Sequence, residues 1–167
     1  QLPYNMNNLM TDWALNSELN DISQEDQLST QITMSYGFDS KMPIERATFN
    51  IGLLSTSLRF AVLAKDLNKT QHLLGAYSAI LKAITMDNSF NDDMVEFQNR
   101  SQVGKFPDLV EMETKLSRII KQERTTFYYQ FGVWVKASEL AAKTGNPSFF
   151  DRPLVTYPIE QSKIYKL

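Results

Sequence analysis

The chain has 167 residues, 43% of them apolar and 22% charged, with a formal net charge of -2. That length predicts one domain, burying about 70% of the surface its unfolded chain would expose. The absence of cysteine excludes disulfides, thiol nucleophiles and cysteine-based metal sites.

Charge is unevenly spread. Residues 1–40 carry six acids and no Lys or Arg, so 41–167 hold all 17 bases against 13 acids. That excess is too thin to indicate nucleic-acid binding. The acidic stretch predicts an N-terminal arm, lying either on the chain's own basic body or against a separate basic partner. A first residue of Gln points to a processed chain. Removal of an export signal is the favoured reading, placing the protein in the periplasm or at the cell surface, with a cytoplasmic fragment as the competing one. The sequons at Asn68 and Asn99 would matter only in a eukaryotic secretory context.

Met6, Leu9, Trp13 and Leu19 lie near a helical spacing and predict a short helix over 7–19, followed by a polar loop. Ile32, Met34, Tyr36 and Phe38 alternate with polar or small residues, predicting an extended strap across the helices. Pro43 then precedes a helix over 45–66. Between Ala47 and Ala64 its only charge is Arg59, and its apolar residues occupy most of its circumference, as expected of the centre of a core. Asn50, Ser55, Thr56, Ser57 and Arg59 interrupt it too often for a membrane span.

A second helix, 70–85, places Leu73, Tyr77, Ile80, Leu81 and Ile84 on one face, and the short connection predicts a hairpin. Residues 87–106 read as a long connection with a short helix at 92–99 capped by Asn91. Pro107 opens a third helix, 107–121, with a stripe of Leu109, Met112, Leu116, Ile119 and Ile120. A fourth, 126–143, ends before Gly145 and Pro147. The tail, 146–167, is aromatic and proline-punctuated. The fold expected is all-α: a bundle of four main helices with an N-terminal arm and an extended C-terminal tail.

Gly52 and Gly132 lie inside helices, where each costs about 1 kcal/mol relative to Ala unless another backbone approaches closely. Seven residues beyond them stand Arg59 and Glu139, expected either to be partly buried and paired, across the helix interface or through a shared neighbour, or both to reach solvent. His72 is the only histidine, so di-iron Glu-x-x-His pairs and two-histidine zinc sites are excluded. Asp92, Asp93 and Glu96 lack the spacing of a calcium loop and read as first-turn acids. The stripe Lys115, Arg118, Lys121 and Arg124 is either a solvated face or an anion-docking surface. Tyr77, Phe127, Phe131 and Trp134 either pack the core or line a ligand cavity inside the bundle. No catalytic residue, cofactor or metal is singled out.

Phe49-Asn-Ile-Gly52 followed by Leu58 and Ala61, and Phe131-Gly132-Val-Trp134-Val135 followed by Leu140, resemble exported helical-bundle proteins of uncharacterised bacterial families, notably from Bacteroidetes-like organisms. The resemblance covers roughly 49–142 and implies fold and export. The chain departs from the pattern by lacking an acid near Ser57 and another near Lys136. The functional expectation is a non-enzymatic interaction or accessory subunit contacting a protein partner through 1–40 and 146–167. A small apolar-ligand-binding protein is the alternative.

Overall fold

A computed structural model describes residues 42–84, 88–144 and Phe149. The described chain is helical, with five helices where four main ones are expected: α1 (Ile44–Leu63), α2 (Leu67–Ile84), α3 (Asn88–Gln102), α4 (Leu109–Gln122) and α5 (Thr126–Lys143). No strand occurs among the described residues. The predicted helix at 7–19, the strap, the acidic arm and all of the tail but Phe149 lie outside them.

Pro43 sits just before α1 with φ -54° and ψ 140°, and its carbonyl accepts from Ala47 N at 2.9 Å. From Ala47 to Val62 no residue of α1 is exposed, which makes this helix the centre of the core. Its two buried threonines bond to the helix itself or across it, whereas Asn50 Nδ2 reaches Met42 Sδ at 3.6 Å and Ser57 Oγ has no hydrogen-bond partner among the described residues. Thr48 Oγ1 donates to Ile44 O at 2.7 Å, and Thr56 Oγ1 lies 3.2 Å from Gly52 O and 3.4 Å from Val133 O of α5.

The connections α1–α2 and α4–α5 share one solution. Lys65 and Arg124 both take φ 57°, in the left-handed region glycine usually fills, and both are exposed. Asp66 then caps α2, accepting from Lys69 N at 3.1 Å. That cap starts α2 three residues earlier than its apolar spacing predicts. Pro107, by contrast, does not open α4. Asp108 does, its carboxylate accepting from Val110 N at 2.9 Å and Glu111 N at 3.1 Å.

The fifteen-residue α3 replaces the short helix expected at 92–99, with Asn91 inside it rather than capping it. Its sequence is mostly polar. Phe90, Met94, Phe97 and Ser101 nevertheless fall at helical spacing, are all buried, and accompany the packing of α3 on α2. On the other side Lys115 of α4 reaches Asp93 of α3 at 2.7 Å.

The tightest contact is α1 on α5. A Cβ built on Gly52 would stand 2.1 Å from Tyr129 O, and one built on Gly132 would stand 2.1 Å from Phe49 O. Each glycine is therefore the notch that receives the other helix's carbonyl. We expect Gly52→Ala and Gly132→Ala each to lower stability by at least about 2 kcal/mol in urea denaturation, because the obstacle is backbone. Gly75 is the control: its Cβ would meet only Gln98 Nε2 at 3.8 Å. Gly75→Ala should raise stability by up to about 1 kcal/mol through helix propensity.

Candidate functional site

Helix α4 has two faces. Met112, Leu116, Ile119 and Ile120 are buried in the core. Val110, Glu113, Thr114, Ser117, Arg118 and Lys121 recur at the same three- and four-residue spacing on another face, and with Arg59 of α1 they line an open groove of about 730 Å³. Residues eleven apart at 1.5 Å each give the groove a length of roughly 16 Å. Val110 is 73% exposed, and Arg118 and Lys121 are exposed as well. Among the described residues neither Arg118 nor Lys121 has an ion-pair partner.

Arg59 and Glu113 form an ion pair and hydrogen bond at the groove wall, with side chains 13% and 22% exposed. Behind this pair lie tyrosine hydroxyls. Ser55 Oγ is 3.4 Å from the Tyr77 hydroxyl and also acts on the Tyr129 hydroxyl. Burial pushes the Tyr129 hydroxyl up to about 12, reinforced by the Glu113 carboxylate and opposed by Ser55 and Arg59. Burial likewise raises Tyr77 well above the ordinary tyrosine value, with Tyr129 and Glu113 adding to it and Ser55 opposing. The polar path thus runs from a charged pair at the surface to a tyrosine in the core.

Arg59 and Glu139 are not paired with each other. Arg59 bonds Glu113, while Glu139 is held on its own helix by Lys136 at 2.9 Å and Lys143 at 2.8 Å. The physical reason is proximity: α5 supplies lysines three residues before and four after Glu139, which need no interhelical alignment. Lys136 is nearly completely buried, its side chain 1% exposed. Partial burial pushes the Glu139 carboxyl up, but hydrogen bonds from Lys143 and Lys136 outweigh it and hold the group below the usual carboxylate range. Its contribution to stability is therefore present above the ordinary carboxylate value and lost as pH falls through the lowered one.

The predicted cavity residues divide. Phe131 stacks on Phe127 at 5.7 Å and on Trp134 at 5.8 Å, both 11° from parallel. Tyr77 is no part of that stack and belongs to the Ser55–Tyr129 hydroxyl group. Among the described residues, Trp134 Nε1 and Ser138 Oγ, one turn apart on α5, are buried without a hydrogen-bond partner. His72 is exposed on α2. Of the acids at 92–96, Asp93 is engaged by Lys115 and Glu96 by Arg100. The cationic stripe is also divided. Lys115 bonds Asp93 and Glu111, whereas Arg118 and Lys121 belong to the groove. Nothing in the sequence marks Glu113 or Ser55, since neither has a local spacing to Arg59 or Tyr77. Only the packing of α1 against its neighbours relates them.

No described helix is long and apolar enough to cross a membrane. Comparison with known proteins finds no matching family model, no similar curated protein and no similar solved structure.

A spectrophotometric alkaline titration tests the tyrosine environment. At least two of the seven tyrosines should remain un-ionised at pH 11 while the helical circular dichroism persists. Raised folded-state values make stability fall as pH climbs past the unfolded tyrosine value of about 10. Reversible ionisation of all seven in the folded protein would contradict the arrangement.

Proposed function

We propose that the chain is a non-enzymatic interaction or accessory subunit, an exported helical bundle that acts by contacting another protein. The observation carrying this reading is the α4 groove. It combines an exposed valine, two hydroxyl residues, two cations without an ion pair among the described residues, and an arginine held by Glu113. A polar rim around limited apolar surface suits a protein contact of modest area. Residues 1–40 and 146–167 serve as further contact segments in this reading, and the periplasm or cell surface is its location. The resemblance to exported bacterial helical bundles supports it.

The second reading, a carrier for a small apolar ligand, rests on the Phe127–Phe131–Trp134 stack beside the unpartnered Trp134 Nε1 and Ser138 Oγ. An indole N–H and a hydroxyl beside aromatic faces match the few orienting polar groups of an apolar ligand site.

Ser117→Trp tests the first reading, because Ser117 is exposed and its replacement fills the groove without altering charge. Purified from the native host, the wild-type chain should retain a stoichiometric partner that the folded Ser117→Trp chain does not. A lone wild-type chain, or the same partner on both, removes the reading. For the second, titration with apolar ligands should shift Trp134 emission relative to Trp134→Phe. Identical responses from the two chains remove it.

A further inference from the structure

We propose that the α4 groove recognises an acidic peptide segment of a partner protein, laid along the helix beside Arg59. This rests on the groove being a contact surface and adds the chemistry of what it contacts. Three observations favour that occupant. First, the lining repeats every three or four residues from Val110 to Lys121, so its recognition elements form a line about 16 Å long rather than converging on one point. A line of that length matches about three helical turns, or about five extended residues, of a bound segment. A single small anion would need its donors gathered around it.

Second, charge selects the sign. Glu113 is committed to Arg59, so the groove's net charge comes from Arg118 and Lys121, one turn apart at its far end. Two acids three or four residues apart on a helical segment would meet this spacing. Thr114 and Ser117 supply hydroxyls between the charges, and exposed Val110 supplies apolar contact at the other end. Third, the small basic excess of the body argues against nucleic acid, whose binding needs cations spread along a whole face.

Recognition of this kind acts mainly through long-range attraction and orientation, and so it weakens with salt. It also places an incoming carboxylate near Arg59, where it competes with Glu113.

Fluorescence anisotropy of the full chain with a fluorescein-labelled peptide of about twelve residues tests the proposal, the peptide carrying Glu one helical turn apart among Ala and Leu. The wild-type chain should bind it, and binding should weaken as salt rises from roughly 0.05 to 0.5 M. The double variant Arg118→Glu/Lys121→Glu should bind roughly tenfold or more weakly while keeping its helical circular dichroism. The same peptide with Lys in place of Glu should not bind. No binding by the wild-type chain, equal binding by the double variant, or equal binding of an oligothymidine overturns the proposal. Self-association of the chain that disappears in the double variant also overturns it, by assigning the groove to a second copy. If Ser117→Trp releases the native partner but the charge reversal does not, the contact surface stands and only its acidic chemistry fails.

Discussion

The architecture depends on two helices meeting without side chains between them. At Gly52 and Gly132 each helix presents a notch, and each notch holds the carbonyl region of the other, Tyr129 O on one side and Phe49 O on the other. A helical glycine costs about 1 kcal/mol relative to alanine. Here the close contact of the two backbones, with Thr56 Oγ1 near Val133 O, offsets that cost. Phe49 and Tyr129 each stand three residues before the glycine of their own helix, and each sends its carbonyl into the opposite notch.

Once α1 and α5 are joined, the neighbours have little freedom. Three-residue connections at 64–66 and 123–125 tie α2 to α1 and α4 to α5. Lys65 and Arg124 accept a left-handed backbone to make those reversals. Helix α4 is thereby brought where Glu113 meets Arg59, which closes one wall of the groove and shields the tyrosine hydroxyls behind it. Helix α3 packs on α2 and is tied to α4 by Lys115 and Asp93.

The charged groups show how burial and pairing divide their roles. Lys136 is an ammonium taken almost fully out of water, with Glu139 among the groups that compensate it. Arg59 is the single charge between Ala47 and Ala64 of the central segment, set where it can reach the wall of the groove. Both lie in segments whose composition reads as core. Both act through contacts that no local pattern specifies.

Local patterns nevertheless carried much of the description. The apolar circumference between Ala47 and Ala64, the stripe from Leu109 to Ile120 and the mid-helical glycines are properties of neighbouring residues, legible from periodicity and propensity. Those properties determined the all-helical class, a central first helix and the positions of α1, α2, α4 and α5 to within a few residues. Tertiary structure decided the rest. It made a full helix of polar α3, because three aromatic and methionine side chains with Ser101 suffice once α2 is there to receive them. It gave Arg59 to Glu113 and Glu139 to its own lysines, and it separated Tyr77 from the aromatic stack. The reason is range: backbone preferences and amphipathic spacing act over a few residues of chain, whereas ion-pair choice and groove shape depend on distances that exist only after the helices have packed.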